Sequence, residues 1–86
     1  MIKEYKAYSD DAHGWLRVEK TTLKRLGLLD KISSLSYEDD EYIYLEEDLD
    51  ADVFLNTQKD EDFGIDEHYS PKSSIRKKRF YKGGLQ

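Results

Sequence analysis

At 86 residues the chain allows one domain with a small core, and its lack of cysteine excludes disulfides, zinc–thiolate sites and cysteine nucleophiles. An apolar fraction of 37% and a mean hydropathy of −0.90 leave no run near the ~20 apolar residues of a membrane-spanning helix. The net charge of −5 hides a split: Glu38 to Glu67 holds fourteen acids and one base, Lys59, while Pro71 to Gln86 holds six bases and no acid.

Residues 2–8 read as a polar edge strand, and Ser9 to Gly14 as a turn. Trp15 to Glu19 alternates, Leu16 and Val18 on one face and Trp15, Arg17 and Glu19 on the other, which predicts a half-buried strand. Thr21 or Thr22 is placed to cap a short helix over 22–27, with Leu23 and Leu26 inward and Gly27 as its left-handed stop. Residues 35–38 and 41–45 form a predicted hairpin about Asp39-Asp40, with Ile43 and Leu45 on one face and Tyr42 and Tyr44 on the other. Asp48 or Asp50 is expected to cap a second helix over 50–58, with Leu49, Val53 and Phe54 facing the core.

Beyond Lys59 the pattern breaks down. Residues 59–71 read as an acidic linker or loosely docked loop, and 72–86 as a basic arm or edge strand with Gly83-Gly84 as a hinge. The expected organisation is a domain over 1–58 of α+β class, a small antiparallel sheet with two short helices on one face. Its expected core is Leu16, Val18, Leu23, Leu26, Ile32, Ile43, Leu45, Leu49, Val53 and Phe54. Seven Tyr, three Phe and one Trp favour folding by supplying large contact areas. Self-association is an open route to further burial.

No motif carries catalysis. Asp48, Asp50 and Asp52 imitate the opening of a calcium loop, but Val53 stands where the loop needs Gly and Lys59 where it needs a bidentate Glu. His13 and His68 lie far apart and outside metal-binding spacings. The expectation is therefore a non-enzymatic protein without cofactor or metal. Missing cysteines and an opening segment without the apolar run of a signal peptide fit the cytosol.

Charge carries the functional reading. Glu38, Asp39, Asp40, Glu41, Glu46, Glu47 and Asp48 are the candidate partner-binding acids, with Tyr42 and Tyr44 adding contact area if their face is exposed. Such an array either is a solvated face or imitates a polyanion before a protein cleft built for nucleic acid. Lys72, Arg76, Lys77, Lys78, Arg79 and Lys82 are candidate phosphate contacts, with Phe80 and Tyr81 placed to stack on bases. The competing reading lays this tail on its own acidic body.

His13-Gly14-Trp15-Leu16-Arg17-Val18, Leu23-Lys24-Arg25-Leu26-Gly27, Asp30-Lys31-Ile32-Ser33, Ser36-Tyr37 and Tyr44 to Ala51 form an ordered set. It resembles a family of small uncharacterised proteins of bacteriophages, prophages and plasmids, over about Gly14 to Phe54. Ser74-Ile75-Arg76 with Phe80-Tyr81 is similar to that family's basic C-terminal stretch. The resemblance implies a mobile-element accessory protein acting inside a bacterial cell, and supplies no catalytic residues. The expected function is capture of a host or element-encoded protein through the acidic surface, as an inhibitor of a nucleic-acid-processing defence system. The alternative is nucleic-acid binding through the basic tail.

Overall fold

The computed structural model of the chain describes residues 3–71 and 73–82. Ile2, Lys72 and Gly83-Gly84, which figure in the expectations above, lie outside the described residues. Six strands, β1 (Lys3–Ser9), β2 (Gly14–Glu19), β3 (Tyr37–Glu38), β4 (Tyr42–Glu46), β5 (Phe63–Tyr69) and β6 (Arg79–Phe80), form one sheet of order β5-β1-β2-β4-β3-β6. Two helices, α1 (Lys20–Arg25) and α2 (Asp50–Leu55), complete the α+β fold, with α2 continuing as a 3-10 turn over Asn56–Gln58.

Strand alternation sorts the two faces. Tyr5, Leu16, Val18, Ile43 and Leu45 project to one side, where Leu23 of α1, Ala51 and Phe54 of α2, and Leu28 and Ile32 between them close the main core. The Tyr5 and Phe54 rings meet edge to face at 5.3 Å. The opposite face is aromatic: Tyr8, Trp15, Tyr37, Tyr42 and Tyr44. It is covered by the basic tail, whose 3-10 turn Ser74–Lys77 seats Ile75 against Trp15 and Tyr44. Trp15 is therefore buried on the face that the alternation reading left half exposed.

The sequence expectations hold for β2, for the hairpin faces and for Gly27. Gly27 has φ 72° and closes α1, with Leu28 N–H donating to the Leu23 carbonyl (2.9 Å) and Gly27 N–H to Lys24 (3.1 Å). Leu28 and Leu23 then share the core. Helix α1 starts at Lys20, earlier than a Thr21 or Thr22 cap would have it, and Thr22 is buried within it.

Helix α2 also enters differently. The Glu46 carboxylate takes the N–H groups of Asp48 (3.0 Å) and Leu49 (3.1 Å), turning the chain as β4 ends. Leu49 is left 49% exposed, and Asp50, not Leu49, points inward. Asp50 caps no helix. It accepts from Ser33 N–H (3.0 Å), Ser33 Oγ (2.6 Å) and Ser36 Oγ (2.6 Å), tying α2 to the loop before β3. That loop, expected as strand from residue 35, pairs only from Tyr37.

The larger correction concerns the segment read as a linker. Phe63–Tyr69 is a full strand, parallel to β1 from Lys3↔Phe63 to Ser9↔Tyr69. The sheet is thus mixed, and β1 is an interior strand between β2 and β5. The tail is likewise built in: β6 pairs antiparallel with β3, and Tyr81 enters the main core.

Candidate partner-binding surfaces

Asp39 builds the hairpin tip. Its Oδ1 accepts from Glu41 N–H (3.0 Å) and Tyr42 N–H (2.8 Å), and its Oδ2 from the Tyr44 hydroxyl (2.7 Å). Burial pushes the Asp39 carboxyl up, but the Tyr44 hydroxyl, these two amides and Lys78 outweigh it and bring the pKa down to about 2. Burial and the same Asp39 contact push the Tyr44 phenol well above its ordinary value.

The basic tail crosses the aromatic face from the Asp10 turn at one end of the strands to the Asp39 hairpin tip at the other. Arg76 donates to both carboxylate oxygens of Asp10, whose Oδ1 also takes the N–H groups of Ala12 and His13 (2.9 Å each). Arg76 foremost, then these amides, holds the Asp10 carboxyl well below the usual carboxylate range. Lys78 lies 3.4 Å from Asp39, and Arg79 lies 3.5 Å from Asp40 and 3.8 Å from Glu38, which Lys20 also contacts at 2.7 Å. Arg76 sits over the Trp15 ring (5.3 Å) and Lys78 over Tyr44 (5.0 Å), so tail cations meet both carboxylates and aromatic faces.

The predicted acidic face therefore divides. Glu38, Asp39 and Asp40 are matched by tail cations. Glu46 is buried and works as a turn former, and Tyr44 is buried while Tyr42 lies half-buried under Arg17 (4.1 Å), so neither is the free contact surface the sequence allowed. Glu41, Glu47 and Asp48 stay exposed without an ion pair among the described residues, Glu41 at the opposite end of β4 from the other two. Of the tail residues, Tyr81 is withdrawn from base stacking: it is buried and its hydroxyl donates to the Leu29 carbonyl (2.6 Å). Phe80 is 53% exposed, stacked on Tyr37 at 4.7 Å, and Lys77, Arg79 and Lys82 face solvent beside it.

Two grooves flank these elements. One, about 220 Å³, lies where α2 stops short of β5. Ala7, Leu16, Ala51, Leu55 and Ile65 give it an apolar lining, with Glu47, Asp52 and Glu67 among its walls. The other, about 360 Å³, opens on the aromatic face between Trp15, Tyr37, Arg76 and Phe80, with Leu35 and Leu49 exposed along it. Asp52 and Glu67 were missed as partner candidates because neither lies in the hairpin run. The signal for Glu67 was the alternation of Phe63, Ile65 and Tyr69, which Glu67 itself interrupts.

Fold and surface define a small α+β domain with a mixed sheet, one edge covered by a basic strand and the other lined with acids. No protein-family model matches the chain, and comparison with curated proteins and with solved structures gives no match. Among the described residues no helix is long and apolar enough to cross a membrane, and no three His, Asp or Glu side chains converge to hold a metal ion.

Proposed function

We propose that this is a non-enzymatic accessory protein of a phage or other mobile element that captures a cationic host or element-encoded protein in the bacterial cytoplasm. A protein that normally handles nucleic acid, such as a defence nuclease, fits as the partner, because carboxylates spaced over a surface can stand in for phosphates. One observation carries this reading. The tail cations pair with Asp10 at one end of the sheet and with Glu38, Asp39 and Asp40 at the other, whereas Glu47, Asp48, Asp52 and Glu67 have no ion pair among the described residues.

The test is capture from bacterial lysate by the wild-type chain and by a Glu47→Gln, Asp48→Asn, Asp52→Asn variant, with mass spectrometry and a thermal melt of each. A protein captured by the first and lost from the second at unchanged melting temperature supports the reading. An identical captured set removes it. Glu46 is left intact because its carboxylate shapes the turn into α2.

A second reading, nucleic-acid binding through the tail, draws on the exposed Phe80 and the solvent-facing Lys77, Arg79 and Lys82 around it. It predicts gel retardation of single-stranded probes that falls steeply with salt. No retardation at low salt excludes it.

A further inference from the structure

The two edges of the sheet carry the same sign of charge and differ in one respect. At the β3 edge, acids flank the strand and a basic segment lies along it: β6 pairs Arg79 with Glu38 and Phe80 with Tyr37, and Arg79 also reaches Asp40. At the β5 edge, Asp60, Glu61, Asp62, Asp66 and Glu67 cluster within eight positions that include no Lys or Arg, and no strand lies outside β5 among the described residues. β5 is long for an edge, seven residues, with Ile65 and Tyr69 exposed. Native sheets usually shorten or cover such an edge, because its open N–H and C=O groups are a template for another strand.

The ladder fixes which groups are open. Ser70 N–H donates to the Ser9 carbonyl (2.9 Å), so Ser70 turns toward β1. In a parallel pair, successive residues alternate direction, which turns the N–H and C=O of Phe63, Ile65, Glu67 and Tyr69 outward. Ile65 and Glu67 also line the groove beside α2, together with Glu47 and Asp52. A long cationic side chain entering there lays its methylenes on Ile65 and Leu55 and ends among carboxylates.

We propose that β5 is a docking edge for an extended, Lys/Arg-rich segment of a partner protein, which adds to the sheet as a seventh strand. The inference deepens the function proposed above and rests on it. A second copy of this chain is a poor occupant, since antiparallel β5–β5 pairing about its centre sets Asp66 against its own equivalent and leaves the two Glu67 side chains diagonal to each other. Asp66 is bonded to His68 on the face away from the groove (2.9 Å), and an incoming basic residue there meets that pair.

The test uses the full chain and a fluorescent peptide of about nine alternating Lys and Val residues. Its control is the same peptide N-methylated at two adjacent central residues, which blocks both of its edges. Ile65→Pro is the protein variant: it removes an outward N–H and leaves the bonds to β1, a substitution that edge strands tolerate. Strand addition predicts that N-methylation and Ile65→Pro each weaken binding about tenfold or more. It also predicts that the peptide slows hydrogen exchange at Ile65 and Glu67. Because Ile65→Pro alters the fold's own edge, the methylated peptide on the wild-type chain is the deciding arm. Salt-sensitive binding indifferent to N-methylation overturns strand addition and leaves charge-driven capture standing. No binding at low salt overturns strand addition, and the lysate capture then decides the broader reading separately.

Discussion

Ile75 anchors the basic tail on the aromatic face, upstream of the Tyr81 anchor in the main core, and replacing it with Ala tests whether this contact holds the 76–79 stretch down. The side chain is 2% exposed and packs on Trp15 and Tyr44. Ile→Ala at a buried site costs roughly 2–5 kcal/mol. The site lies on the sheet's outer face, where Trp15 and Tyr44 can partly close the gap, so about 2–3 kcal/mol is expected. The exposed ion pairs of Lys78 and Arg79 hold the tail only weakly in water. If the loss falls on tail docking alone, the detached population rises roughly 30- to 140-fold, since about 1.4 kcal/mol is a factor of ten. Trypsin reads that population directly, because Arg76, Lys77, Lys78 and Arg79 become substrates when the segment lifts. Initial cleavage of Ile75→Ala should speed up by that factor while the melt of the body stays cooperative. Cleavage at the wild-type rate would show that the tail is held by something other than this contact, and the account of the aromatic face would fail.

Three further outcomes are expected. Asp50→Ala strands the donors of Ser33 and Ser36 in a buried site and should cost on the order of 3–5 kcal/mol by urea unfolding; a loss under about 1 kcal/mol contradicts the Asp50 hub. The folded pKa of Asp39, about 2 against an ordinary 3.8, means that its contribution is complete above pH 4 and is lost as pH falls toward 2. That loss should be on the order of 1–2 kcal/mol after screening, and Asp39→Asn, compared by acid titration of stability, should flatten the dependence. Gly27→Ala places a Cβ at φ 72° and should destabilise by about 1–2 kcal/mol in urea, although the space around it is open; an unchanged midpoint would mean the backbone relaxes.

The parts of the fold that were legible in the sequence are those set by a local period. Leu16 and Val18 against Trp15 and Arg17, and Ile43 and Leu45 against Tyr42 and Tyr44, placed β2 and β4 and both of their faces. Gly27 announced the end of α1 through its backbone freedom. What stayed hidden depended on distant partners. β5 owes its existence to β1, far back in the chain, and Glu67 breaks its alternation because that end of the strand faces an open groove. Asp50 took the core position that periodicity gave to Leu49, because Ser33 and Ser36 supply hydroxyls that no pattern within α2 can foretell. Charge sorting located the acids, but not which of them the tail would neutralise, since that turns on β6 finding the β3 edge.

The reach of the tail also orders events during synthesis. Arg76 closes onto Asp10 across 66 positions of chain, and Tyr81 onto Leu29 across 52. While the nascent polypeptide is still leaving the ribosome, Trp15 and Tyr44 can be made and paired into a partial sheet, yet their outer surface stays wet until the closing residues emerge. Such separations slow folding relative to chains with local contacts. The interval leaves a greasy, unfinished surface on view, and this makes the cationic end a latch for the newborn molecule as much as a feature of the mature one.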